Sequence, residues 1–482
     1  MNLNRCETVP PLPDEVWWQI VSHLNLKEIA SLSLVNKYFS AFTRDDKLLG
    51  PKVSLKMLDF SGKPWPIFTK IFFTSKAAAD LRAAEKFMNS GMPQSIKTLD
   101  LRTISFTDRV IDLLLKNFIN LRTLKFSNTC LLKTRIEKIL KLKCLTNLKA
   151  VEGQINDRAV QVVAKAIETS SILKSIELSG VGDKFPTTFG DAGASYLAEA
   201  LKVNTTLTSL SLGKNSIGSQ GLGRIAEALE QNRTLTKLNV EFNDIGAEGG
   251  GALANALKQN TTLAKLNLSQ CNIGAEGGCH IAETLEVNTT LTSLKVGHPN
   301  IGSEAVKLLV EKIEQNQTLK EVDLSYCYFD YSASLSIYRA LNKNHPLRKI
   351  TLSHCLMTSV GIMDRGLWTN TNLTSFDLGY NGIDDYGAKL IAEALRINRT
   401  LTSFDLGYNV ITDKGAQHIA KALKVNTTIK WFGLSGCFIS ELGVEEIAEA
   451  LASNKTPRSI DLSDQYHNRY DRRWGHLVIS NF

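Results

Sequence analysis

The chain repeats itself. The segments TLTSLSLGKNSIGSQGLGRIAEALEQNR (206–233), TLTKLNVEFNDIGAEGGGALANALKQNT (234–261) and TLAKLNLSQCNIGAEGGCHIAETLEVNT (262–289) align residue for residue. A leading residue marks each copy: Leu207, Leu235, Leu263, Leu291, Leu319, Leu347, Leu373, Leu401, Ile429 and Pro457. Every step is 28 residues except the 26 from Leu347 to Leu373. Looser copies start at Ile96, Leu121, Leu145 and Leu173, the last with an insertion around GVGDKFPTTFG (180–190), which makes about fourteen repeats. A fixed period of this size excludes most closed globular folds. Each copy is one supersecondary unit that buries its apolar face only against its neighbours.

Within a copy the hydrophobic period changes. Leu207, Leu210 and Leu212 alternate with polar residues, which predicts a short strand with one buried face. Leu222, Ile225, Ala226 and Leu229 then fall on one helical stripe. Strand, turn, helix and turn at 28 residues resemble the leucine-rich repeats, in particular the ribonuclease-inhibitor subclass, over residues 96–462. The fold class so implied is α/β: a leucine-rich-repeat solenoid with parallel strands along an inner, concave face.

That resemblance accounts for two patterns that point elsewhere on first reading. Of eight cysteines, Cys271, Cys327, Cys355 and Cys437 stand eight residues after a leading position, where other copies place Asn215, Asn243, Asn381 and Asn409. They are therefore expected to be small, buried and structural, not a disulfide framework. No CxxC or Cys/His spacing suggests a metal site, and no cofactor is implied. Asparagines also recur three residues before each leading position (204, 232, 260, 288, 316, 344, 370, 398, 426, 454), mostly as Asn-x-Thr. A secreted protein would carry glycans there. With no signal-like segment opening the chain, these asparagines are read as helix-ending residues in left-handed geometry, in a reducing intracellular compartment.

The first fifty residues follow different rules. LPDEVWWQIVSHL (12–24) sets Pro13 and two acids at a helix start, then Val16, Ile20 and Leu24 on one stripe, with Trp17 and Trp18 about 100° apart. Ile29, Leu32 and Val35 continue a second pattern, and Tyr38, Phe39 and Phe42 a third. Three short helices in about forty residues lie near the lower limit for a self-sufficient core, so their exposed apolar surface awaits a partner. The segment resembles an F-box, with Leu12, Pro13, Glu15, Ile20, Val21, Leu24, Ile29, Leu32, Val35, Lys37 and Phe39 matching its pattern; Asn36 and Phe39 depart from the usual Cys and Trp. The expected layout is a small all-α F-box (10–50), a basic linker or cap (51–95), the solenoid (96–462) and a C-terminal cap (463–482).

Charge is unevenly placed. Residues 51–150 carry 19 Lys/Arg against 7 Asp/Glu, within a chain of net charge +8. Aromatic interleaving is sparse there, so a solvated basic face is expected and no nucleic-acid partner. No run of 18 apolar residues predicts a membrane span, and WPIFTKIFF (65–73) is expected to cover the end of the solenoid. Catalysis finds no motif: no phosphate loop follows a strand, and no cysteine is followed two positions on by Asp, as in bacterial repeat-bearing ligases.

The F-box resemblance implies docking on Skp1, and through it on Cul1 and the RING subunit, by Leu12, Pro13, Glu15, Trp17, Ile20, Leu24, Ile29, Leu32, Val35 and Phe39. The chain would then be the non-catalytic substrate-recognition subunit of an SCF-type ubiquitin ligase. The alternative is a repeat scaffold or inhibitor that binds a partner with no ubiquitin outcome. The target itself, unidentified by sequence, is expected to carry a basic segment and to meet Asp323, Tyr326, Asp377, Tyr380, Asp405, Tyr408 and Trp431 on the concave face. The cytoplasm is the expected compartment, or a host cytoplasm for a bacterial effector, with the nucleus open.

Overall fold

The computed structural model describes residues 97–101, 107–127, 133–151, 155–180, 189–341, 345–357, 370–454, 456–457 and 459–465, together with the backbone of three strands at 53–56, 70–73 and 478–480. The F-box segment and its ten named residues lie outside the described residues. Two compact units divide the chain: residues 1–155 with 172–178, and 156–171 with 179–482.

In the first unit β1 (Val53–Lys56) pairs antiparallel with β2 (Lys70–Phe73). From there β3 (Thr98–Leu101), β4 (Thr123–Ser127), β5 (Asn147–Val151) and β6 (Ser175–Leu178) add in parallel. Between strands run α1 (Asp108–Asn117) and α2 (Lys133–Ile139). Neighbouring strands bring Asp100, Lys125, Lys149 and Glu177 into one row, and Lys149 Nζ reaches Glu177 Oε2 at 2.7 Å. This unit's strand face thus carries both charge signs.

The second unit is a parallel sheet closed by an antiparallel strand. Its strands are β7 (Ser209–Ser211), β8 (Lys237–Asn239), β9 (Lys265–Asn267), β10 (Ser293–Lys295), β11 (Glu321–Asp323), β12 (Lys349–Thr351), β13 (Ser375–Asp377), β14 (Ser403–Asp405), β15 (Trp431–Gly433) and β16 (Ser459–Asp461), in chain order. β17 (Val478–Ser480) pairs antiparallel with β16, covering an edge that would otherwise offer unpaired backbone. Helices such as Ser219–Gln231 and Asp385–Ile397 back the strands. The predicted stripe is the buried one: Leu207, Leu210, Leu212, Leu222, Ile225, Ala226 and Leu229 are 2% exposed or less. Each such leucine contributes about 1.5–3 kcal/mol by leaving water. Among the described residues no helix is long and apolar enough to cross a membrane.

Hydrogen bonds tie each repeat to the next. Asp385 Oδ1 accepts from the Thr412 and Gly415 N–H groups at 2.8 and 3.0 Å, capping the following helix. The recurrent asparagines do something other than expected. At the helix ends Asn204, Asn232, Asn260, Asn288, Asn316 and Asn398 have φ between −60° and −79°, so their backbone is extended and not left-handed. The side chain ends the helix instead. Asn260 Nδ2 donates to the Leu229 carbonyl at 2.7 Å, and its Oδ1 accepts from Thr262 and Leu263 N–H at 3.0 and 2.8 Å. An amide buried and spent this way is closed to a glycan. Next to the short 26-residue step, His345 takes the role assigned by spacing to Asn344. Its Nε2 bonds the Asn316 carbonyl and its Nδ1 accepts from Leu347 N–H at 3.2 Å.

The second recurrent row behaves as read. Asn243 Nδ2 donates to the Leu212 carbonyl at 3.0 Å, and Cys271 Sγ takes the same place against the Val240 carbonyl at 3.1 Å. Burial pushes the Cys271 thiol up to about 12, so it stays protonated and inert.

Candidate functional site

Seven residues after most leading positions the backbone turns left-handed: Lys214, Phe242, Gln270, Tyr326, His354, Tyr380, Tyr408 and Asp464 have φ from 53° to 66°, whereas His298, seven after Leu291, is extended at −159°. For an L-residue this costs roughly 1–2 kcal/mol. The turn persists because each N–H reaches a carbonyl of the next repeat: Tyr326 to Ser353 at 2.9 Å, His354 to Gly379 at 3.1 Å, Tyr380 to Gly407 at 2.8 Å and Tyr408 to Ser435 at 2.6 Å. Identical backbone geometry in consecutive repeats makes the side chains leave the rim in parallel. Four rings therefore stack: Tyr326 on His354 at 4.3 Å, His354 on Tyr380 at 4.1 Å and Tyr380 on Tyr408 at 4.1 Å, with interplanar angles of 8°, 16° and 7°. The last ring lies against Gly436, where a Cβ would collide with it, and Tyr408 Oη donates to Asp464 Oδ2 at 3.4 Å. Stacking uses up the ring faces, so edges and polar ring atoms meet solvent; Tyr326 and Tyr380 are each 44% exposed.

Beside this rim runs an acidic row. Asp377 and Asp405 are direct neighbours across β13 and β14, and Gly433 separates Asp405 from Asp461. One oxygen of each is used locally: Asp377 Oδ1 accepts from Gly379 N–H and Asp405 Oδ1 from Gly407 N–H, both at 2.9 Å. Asp323 meets a cation, Lys295 Nζ at 3.3 Å. Among the described residues no lysine or arginine lies within ion-pair distance of Asp377, Asp405 or Asp461. Burial, with the charges of Asp377 and Asp461 added, pushes the Asp405 carboxyl up to about 6 against its Gly407 hydrogen bond. Asp377 is raised mainly by burial as well. Between the two rows, two residues past the end of each strand, stand small residues: Ser325, Ser353, Gly379, Gly407, Ser435 and Ser463.

A third row, nine residues after the leading positions, changes character along the sheet. In earlier repeats it is a polar ladder, Asn272 Nδ2 donating to Asp244 and Asn300 Nδ2 to Asn272, both at 3.0 Å. From the repeat of Leu319 onward it presents Tyr328, Leu356 and Val410, which are 50%, 66% and 47% exposed.

Two family models match the chain. A model described as F-box-like matches residues 10–49. One described as leucine-rich repeat matches 203–226, 231–254, 259–281, 287–310, 369–392 and 398–420. The chain carries an F-box-like domain followed by leucine-rich repeats. Both are protein-binding modules, so this is a protein-interaction adaptor. No curated protein matches the chain. Similar solved structures include an internalin of Listeria monocytogenes, 16% identical, covering 82% of this chain and 87% of its own at a TM-score of 0.35. Others are leiomodin-1 actin-binding site 2 (21% identity, 38% and 89% covered, TM-score 0.25) and the Caenorhabditis elegans tropomodulin C-terminal domain (18%, 31% and 93%, 0.26).

Of the residues expected on the leucine-rich-repeat face, Tyr326, Tyr380 and Tyr408 join one stack, and Asp377 and Asp405 one unpaired acidic pair. Asp323 is partly neutralised by Lys295. Trp431 stands apart on β15, two residues after its leading position, flanked by Ser403 and Ser459. Sequence reasoning missed His354, the rung that joins Tyr326 to Tyr380. Burial lowers its pKa and Asp377 opposes the shift. Counting seven from Leu347 would have found it.

Proposed function

We propose that this chain is the substrate-recognition subunit of an SCF-type ubiquitin ligase. Its F-box-like segment docks Skp1 through Leu12, Pro13, Glu15, Trp17, Ile20, Leu24, Ile29, Leu32, Val35 and Phe39, and Cul1 with the RING subunit joins through Skp1. The repeat array holds the target on the strand face and rim around Asp323, Tyr326, Asp377, Tyr380, Asp405, Tyr408 and Trp431. The observation that carries this reading is the F-box-like match at residues 10–49 in the same chain as a repeat array. Catalysis then belongs to the assembly. This chain contributes effective concentration, bringing target lysines to the charged ubiquitin carrier.

The test is a pull-down with purified Skp1, comparing the full chain with Leu12→Ala/Pro13→Ala. Retention of Skp1 by the first and its loss by the second supports the reading. A chain that ignores Skp1 is instead a binding scaffold or inhibitor.

A further inference from the structure

Resting on the target-binding role proposed above, we infer the form of the target: an extended segment of about eight residues in which basic and apolar side chains alternate. It lies across the strands from β11 to β16, in the trough between the acidic row and the aromatic rim.

Three rows change at one place. Four residues after the leading position, Ser211, Asn239, Asn267 and Lys295 give way to Asp323, Asp377, Asp405 and Asp461, with Thr351 and Gly433 interspersed. The rim passes from Lys214, Phe242 and Gln270 to the stacked Tyr326, His354, Tyr380 and Tyr408. The outer row passes from the bonded Asp244, Asn272 and Asn300 to exposed Tyr328, Leu356 and Val410. The repeat fold itself demands none of these changes, since the earlier repeats build the same strands and turns without them.

The shape of the trough sets the occupant. One wall is acidic, and among the described residues no lysine or arginine lies within ion-pair distance of Asp377, Asp405 or Asp461, though the charge of Lys349 reaches Asp377. The other is aromatic from Tyr326 to Tyr408 and passes to Gly436 and Asp464 just past β15 and β16, with Ser and Gly between the walls. Every strand edge here is already paired, so a ligand cannot join the sheet and must lie over it. In an extended chain successive side chains point to opposite sides. A segment running along the trough would send alternate residues to the carboxylates and the others to the rim. From Asp323 to Asp461 is five strand spacings, about 24 Å at ~4.8 Å each, or seven to eight extended residues at ~3.3 Å. The stacked rings offer edges and not faces, so the apolar residues pack against the rim by shape, and charge selectivity comes from the aspartates.

The experiment uses the full chain and two fluorescein-labelled octapeptides of equal composition, one alternating Lys and Leu, the other with four Lys followed by four Leu. Fluorescence anisotropy should show the alternating peptide binding at least tenfold tighter. Asp377→Asn/Asp405→Asn should weaken it tenfold or more, and so should Tyr380→Ala. Asparagine is a faithful replacement, because Asn239 and Asn267 hold the same turn in earlier repeats, each Oδ1 accepting an N–H at 3.0 Å. Phe242→Ala, on the rim of an earlier repeat, should leave affinity unchanged. Equal binding of the two peptides, or none by either, overturns the inference. Because Leu12→Ala/Pro13→Ala should bind peptide normally, such a failure is separate from a failure to bind Skp1.

Discussion

Replacing Asn260 with Ala should destabilise the array by about 4 kcal/mol. The side chain is 2% exposed and satisfies groups in two repeats. Its loss strands the Leu229 carbonyl, bonded at 2.7 Å, and the Leu263 N–H, bonded at 2.8 Å, both in buried surroundings. Each orphaned group costs roughly 1–3 kcal/mol, which brackets the total between about 2 and 6. The Thr262 N–H, bonded at 3.0 Å, is half-buried and can turn to water. The comparison is Asn300→Ala, since Asn300 also bonds the preceding repeat, at 3.0 Å, but from an exposed position. That loss should cost about 0.5–1 kcal/mol, the worth of an ordinary hydrogen bond. Urea unfolding followed by circular dichroism gives both, provided the two variants share the parent's m-value. If the two variants differ by less than 1 kcal/mol, the amide ladder is not what joins the repeats.

Two further outcomes concern pH. His345 accepts at Nδ1 from Leu347 and so holds its proton on Nε2; burial lowers its pKa below 6.5, against the pull of the Asn316 and Ile313 backbone and Glu314. The unfolded chain then binds more protons, so this stability is present above pH 6.5 and is lost as pH falls below it, and His345→Gln should flatten the urea midpoint between pH 7 and 5. Asp405 has the opposite sign: its folded value of about 6 exceeds the usual 3.8, so the native state binds the extra proton and loses stability as pH rises through that interval. Asp405→Asn should therefore raise the midpoint at pH 7.5 and hardly at pH 4; a lowered midpoint at pH 7.5 would show the carboxylate to be structural.

The 28-residue period made the strands, helices and buried stripe legible, because those features depend on side-chain polarity at fixed spacing. Leu222, Ile225 and Leu229 need only be apolar to be placed. The asparagine row was located by spacing but assigned the wrong geometry. A C-terminal asparagine suggests left-handed backbone, yet here the amide reaches a carbonyl of the preceding repeat, as Asn232 does to Leu201 at 2.8 Å. No single-repeat view contains that partner. The left-handed residues sit instead just after the strands, at positions as bulky as Tyr326 and Phe242, where composition argues against φ > 0 and only the backbone bond to the next repeat explains it. His345 escapes the pattern for a related reason: counting three back from Leu347 leads to Asn344, and nothing in the spacing points one residue on.

This division also says where function can reside in such an array. Positions that hold neighbouring repeats together are nearly constant: the leucines, the helix-end amides, and the Asn or Cys behind each strand. Positions four, seven and nine residues after the leading one are free to vary, and in the earlier repeats they are polar apart from the exposed Phe242. From Leu319 onward they become acidic, aromatic and apolar together, at a cost visible in the structure. Asp405 is held up at about 6 by burial, with the like charges of Asp377 and Asp461 added. Under the proposed target-binding role, a residue that weakens the free protein while its asparagine counterpart serves the same turn elsewhere would serve the partner and not the fold. If Asp405→Asn both stabilises the fold at pH 7.5 and weakens the alternating peptide, the two effects share one origin: a carboxylate desolvated for a cation that the partner supplies.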